Sequence, residues 1–103
     1  MNITEIKKNF NKLGIEIKIF FIFTLLADKK GRIKAEKKEL QKYLKVSIQT
    51  IGKYIRAFVE CNMMKYKYSG EAMFNPDFYY TGEESQRASI QEEYKAFKSD
   101  ITF

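Results

Sequence analysis

Five residues of this 103-residue chain have the types and spacing to do recognition chemistry: Gln49, Thr50, Lys53, Arg56 and Ala57. With Ile51 at the centre of a buried side and about 100° per residue, all five fall on the opposite side of one helix. The set is short-chained, amide-bearing and cationic. In a DNA major groove Gln pairs bidentately with adenine, Lys or Arg pairs with guanine, and Thr or Ala touches a thymine methyl. Solvated helix faces have similar compositions, so the meaning of this one depends on what positions it.

The positioning stretch is Lys37 to Met64, KKELQKYLKVSIQTIGKYIRAFVECNMM. Leu40 with Tyr43 and Leu44 forms the apolar side of a first helix over Lys37 to Leu44. Ile51, Ile55, Phe58 and Val59 form that of a second over Ser47 to Cys61, at the i, i+4, i+7, i+8 spacing of an amphipathic helix. Only Lys45-Val46 stands between them. Ser47 occupies the N-cap position, where its hydroxyl can accept from unpaired N–H groups of the next turn. Two helices so joined cross steeply and share one core, which is a helix-turn-helix.

The formal charge of +6 is unevenly spread: residues 1–28 carry a balance of +1, residues 29–68 one of +9, and residues 69–103 one of −4. The basic excess falls on the helix-turn-helix and its flanks, the electrostatic footprint of a phosphate-binding surface. A membrane surface would attract the same charge, but no segment joins a lysine-rich face to a large exposed apolar one.

Composition excludes most enzyme chemistry. The chain has no His and a single Cys, so the common zinc sets, Ser-His and Cys-His pairs and an internal disulfide cannot be assembled within it. Cys61 beside Glu60 reads as a buried small hydrophobe. There is no P-loop and no GxGxxG run, and nothing aims the carboxylates at one another. No catalytic residue, metal or cofactor is expected. The apolar run from Ile15 to Leu26 is broken by Glu16 and Lys18 and is too short for a bilayer, and no export signal precedes it; a cytoplasmic protein is expected.

The remaining segments fill in one domain over residues 1–103. Asn2 to Leu13 is helical by the spacing of Ile3, Ile6, Phe10 and Leu13, and Gly14 can end it. Ile15 to Ala27 reads as a central helix, buried over most of its surface. Asp28 to Gly31 is a turn and Arg32 to Lys34 a short strand. After Asn62, suited to a left-handed helix end, Met64 to Tyr68 alternates as a strand, Ser69-Gly70 turns, Ala72 to Phe74 returns and Pro76 stops the ladder. This hairpin is a wing: Lys65 and Lys67 project from one side toward phosphates, with Tyr66 and Tyr68 on the other as core packing or as stacking surfaces. Glu83 to Lys98 is a helix whose stripe of Ile90, Tyr94 and Phe97 needs a partner, either its own core or the same helix of a second copy.

In this order, the buried helix, the strand around Ile33, the helix-turn-helix, the short wing and above all MFNPDFYYTG resemble the winged-helix region of RepL-type replication proteins of Firmicute plasmids. Met73, Asn75, Pro76, Phe78, Tyr79 and Gly82 carry the resemblance, which covers roughly residues 15 to 95. The helix-turn-helix portion alone is shared with MarR-like regulators. The resemblance implies a DNA-binding winged helix from a mobile element.

The expected fold is mainly α with a small β-wing, an α+β winged helix-turn-helix. The expected function is non-enzymatic, sequence-specific binding of double-stranded DNA in plasmid replication, copy control or transcription regulation. Gln49, Thr50 and Lys53 would contact bases, and Lys45, Ser47, Arg56, Lys65 and Lys67 the backbone. A homodimer through the terminal helices is expected. The alternatives are a single-strand binder stacking bases on Lys65 to Tyr68, and a winged helix that docks an acidic protein.

Overall fold

The computed structural model describes residues 14–101, so the helix expected over Asn2 to Leu13 lies outside the described residues. The elements are α1 (Ile15–Leu26), β1 (Arg32–Lys34), α2 (Lys37–Tyr43), α3 (Ile48–Glu60), β2 (Met64–Tyr66), β3 (Glu71–Phe74), a 3-10 turn (Glu84–Gln86) and α4 (Arg87–Ala96). The sheet is antiparallel with order β1-β3-β2, so β3 is central.

Side chains alternate along a strand, and here that sorts the sheet into two buried faces. Ile33, Met64, Tyr66, Ala72 and Phe74 face the main core with Ile19 and Phe23 of α1, Leu40 and Leu44 of the first helix and its end, and Ile51 and Ile55 of α3. Met73 faces the other way, into a second cluster with Ile90, Tyr94 and Phe97. The stripe of α4 is therefore spent on its own sheet, the first of the two partners open to it.

Local chemistry sets the ends of the elements. Asp28 Oδ1 accepts from the N–H groups of Lys30 at 2.8 Å and Arg32 at 2.9 Å, closing the turn into β1. Ser47 Oγ accepts from Thr50 N–H at 3.2 Å, so the expected cap starts α3. Asn62 takes φ 57° at its end. Gly70, at φ 95°, closes the hairpin, and a side chain there would press on the backbone of Ala35 and Glu36. The wing is consequently short, its tip tied to β1 by Ala35 N–H donating to Gly70 O at 2.8 Å.

Four expectations change. α1 is not buried over most of its surface: only Ile19 and Phe23 are fully buried, whereas Ile17 is 48% and Leu25 70% exposed. A largely apolar run does not distinguish a helix enclosed on all sides from one with exposed apolar positions. Tyr43 leaves the face of Leu40 and Leu44 and is 71% exposed, and Cys61, expected to be buried, is exposed at the end of α3. The last helix is shorter than Glu83 to Lys98, because Phe97 turns extended and sends the chain along β2. There Ser99 Oγ accepts from Tyr66 N–H at 3.1 Å, and Asp100 N–H donates to Tyr66 O at 3.0 Å. This tail satisfies the open edge of β2, a role with no residue pattern to announce it.

Tyr66 donates its hydroxyl to Ala35 O at 3.0 Å, and Tyr94 donates to Asn62 Oδ1 at 2.9 Å. Burial, then the charge of Glu36, pushes the Tyr66 phenol up to about 12, and burial does the same for Tyr94. Both folded values exceed the unfolded value near 10, so their contribution is complete below about pH 10 and is lost as pH rises toward about 12. Lys65, lowered by burial, acts in the opposite sense, because deprotonation relieves its cost. Thermal melts from about pH 9 to about pH 12 should therefore show a net alkaline loss of stability. Tyr94→Phe should flatten that loss while costing about 1 kcal/mol at neutral pH through its missing hydrogen bond.

Candidate nucleic-acid interface

The exposed face of α3 forms one wall of an open groove of about 620 Å³. Gln49, Gly52, Lys53 and Arg56 line it from the helix, Lys37 and Tyr68 line it from the start of α2 and the wing turn, and Asp100 with Ile101 closes one end. The sequence-level set is thus brought together in its central part: Gln49, Lys53 and Arg56 share one surface. Ala57 is exposed on the same helix but outside the groove lining. Thr50 is half-buried, and its hydroxyl shares a 2.9 Å hydrogen bond with Ser47 Oγ. Lys45 is exposed at the joint and does not line the groove.

The wing lysines lie on another surface. Lys65 Nζ donates to Tyr94 O at 2.6 Å and lies 4.5 Å from the Tyr94 ring centroid. Lys67 Nζ lies 4.9 Å from the Phe97 ring and 3.8 Å from Glu71 Oε2. Arg32 joins them over Phe97 and pairs with Glu93 at 3.3 Å. Alternation was read properly, but the lysine side of the hairpin is the side that α4 covers. These cations hold a helix and do not line the groove beside α3.

Two groove residues, Lys37 and Gly52, escaped sequence reasoning, and Tyr68, expected only on the wing, joins them. Lys37 Nζ sits 5.3 Å from the Tyr68 ring and 5.8 Å from the Tyr66 ring, drawn across the groove by the aromatic faces. Tyr68 is 68% exposed, yet its backbone is fixed, its N–H donating to Asp100 Oδ2 at 2.8 Å. Gly52 was visible in the sequence and could have been found by its cost: a glycine inside a helix gives up roughly 0.5–1 kcal/mol relative to alanine. Its backbone is not left-handed, and a Cβ there would meet only Lys37 Nζ at 3.4 Å and Cε at 3.7 Å, ordinary contacts with the end of a flexible chain.

The segment after β3 is a mechanical joint. Asn75 Nδ2 donates to Asn62 O at 2.9 Å, tying the end of α3 to the end of β3. Asn75 Oδ1 and O then accept from Asp77, Phe78 and Tyr79 N–H groups, which turns the chain back. Phe20 of α1 meets Phe74, Phe78 and Tyr79 edge to face, with centroids 5.8 to 6.4 Å apart. Arg87 Nη1 donates to Pro76 O at 3.2 Å, and Gln91 Nε2 to Asp77 Oδ1 at 2.7 Å, fastening α4. At Gly82 a Cβ would lie 2.6 Å from Tyr80 Oη and 2.7 Å from Lys29 O, so only glycine fits.

An α+β fold with a steeply joined helix pair, a following hairpin and strand order β1-β3-β2 defines the class: a winged helix-turn-helix protein. Residues 12–102 match the Firmicute plasmid replication protein (RepL) family, and the chain belongs to that family. Its role is accordingly related to plasmid replication. Among curated proteins and among solved structures nothing matches significantly. No helix among the described residues is long and apolar enough to cross a membrane.

Because Gly82 is required by contact rather than by recognition, Gly82→Ala should destabilise the chain by about 1–3 kcal/mol, since the added methyl must displace backbone. Chemical denaturation checks the loss.

Proposed function

We propose that this chain is a non-enzymatic cytoplasmic protein that binds double-stranded DNA in a sequence-specific way, acting at a plasmid origin or promoter. The observation that carries the reading is the grouping of Gln49, Lys53 and Arg56 with Lys37 around one open groove on the outer face of α3. A helix of thirteen residues is about 20 Å long and fits a major groove, where Gln49 and Lys53 reach base edges and Arg56 a phosphate. Thr50 stays in the set as a methyl-bearing contact at the helix start, and Lys45 and Ser47 flank it at the joint.

The single-strand alternative loses its platform. Tyr66 is buried and both Lys65 and Lys67 face α4, so only Tyr68 of that run is open for stacking. The homodimer belongs to the duplex reading, and its seam falls on α1, where exposed Ile17 and Leu25 stand eight residues apart. Leu25→Glu should convert a dimer to a monomer in sedimentation equilibrium, and a monomeric parent chain would remove the seam.

Arg56→Ala should weaken every duplex and lower the salt slope by about one, whereas Lys53→Ala should weaken binding and relax preference at its base pair. Gln49→Ala should instead change preference at one base pair, by about 1–3 kcal/mol. Fluorescence anisotropy with duplex and single-stranded DNA of equal length measures both. Duplex binding indifferent to Lys53 and Arg56 refutes the placement, and no nucleic-acid binding at moderate salt favours an acidic protein partner. Plasmid-wide footprinting then separates origin from promoter.

A further inference from the structure

We propose that the floor of the groove at Gly52, together with Lys37 and Tyr68, is a subsite for one phosphodiester of the DNA backbone and its adjoining sugar. The assignment rests on the duplex-binding reading. Its starting point is a residue that the fold itself does not need: neither backbone conformation nor packing calls for glycine at position 52. A helix that accepts this propensity cost without internal benefit leaves a stretch of backbone over which only the end of the Lys37 side chain lies among the described residues, and that stretch lines the groove. Glycine on a ligand-facing wall permits close approach of another backbone.

The groups around the patch have matching chemistry. Lys37 Nζ lies directly over it, 3.4 Å from where a Cβ would stand. Among the described residues it has no ion-pair partner and is held by aromatic faces, so its charge is available to an anion. Tyr68 presents an exposed ring beside it on a turn that cannot drift, locked by Gly70 and by Asp100. A cation next to a rigid aromatic face suits a phosphate followed by a deoxyribose. Lys53 and Arg56 extend the positive wall, whereas the Asp100 carboxylate marks where a phosphate path must end. The backbone of one strand would thus run between α3 and the wing turn while the outer face of α3 enters the groove of the duplex.

The test uses the full chain, anisotropy with duplex DNA over a salt series, and thermal melts of each variant. Gly52→Ala should melt higher, by roughly 3–6 °C, and yet bind duplex at least about tenfold more weakly. Stability and binding moving in opposite directions is a signature that a merely structural glycine would not give. Lys37→Gln should lower the salt slope by about one, and Tyr68→Phe should bind better than Tyr68→Ala. Gly52→Ala binding as tightly as the parent, or Lys37→Gln leaving the slope unchanged while Arg56→Ala lowers it, overturns the subsite and leaves duplex binding standing. Duplex binding unchanged by both Lys53→Ala and Arg56→Ala overturns both. Inorganic phosphate should compete no better than chloride at equal ionic strength, and stronger competition would reassign the site to free phosphate.

Discussion

The two-residue period of the wing hairpin is the constraint on which the rest of the molecule depends. Because β3 is central, with Met73 facing one way and Ala72 and Phe74 the other, the sheet has to be covered twice. The helix-turn-helix and α1 cover one face, and α4 covers the other. A shift of one residue in the hairpin would exchange Tyr66 for Lys65 in the main core and leave a cation where a buried phenol now donates to Ala35 O. That register also settles which side chains meet the groove and which meet α4.

The same constraint divides the basic charge. The segment 29–68 holds nearly all of the basic excess, but it is not all available to one partner. Arg32, Lys65 and Lys67 spend their cations on the aromatic rings, carbonyls and carboxylates of the far side, where they fasten an acid-bearing helix. Lys37, Lys53 and Arg56 are gathered on the other side. A linear charge map adds these two groups together, although in space they serve separate surfaces.

The segment that ties the chain most closely to its family works as a joint. Asn75, Pro76 and Gly82 each answer a local backbone requirement, and Phe78 with Tyr79 packs on Phe20 of α1. Its consequence for the groove is indirect. Asn62, at the end of α3, is held by both Asn75 and Tyr94, so the orientation of the exposed face of α3 is set by the strand and helix that follow it.

Short-range features were legible in the residues themselves. The paired helices, the Ser47 cap, the left-handed Asn62 and the hairpin all follow from periodicity, capping and turn chemistry over a few positions, and so does the outer set of Gln49, Lys53 and Arg56. Features that depend on which face is covered were not. That Lys65 and Lys67 turn to α4, that α1 keeps a bare apolar side, that the stripe of Ile90, Tyr94 and Phe97 is spent at home, and that Ser99 and Asp100 seal β2 all require contacts between segments far apart in the chain. By itself the sequence determined which residues lie on the same side of each element. Only the tertiary structure decided what each side meets, because alternation and helical periodicity define faces without naming the surface packed against them.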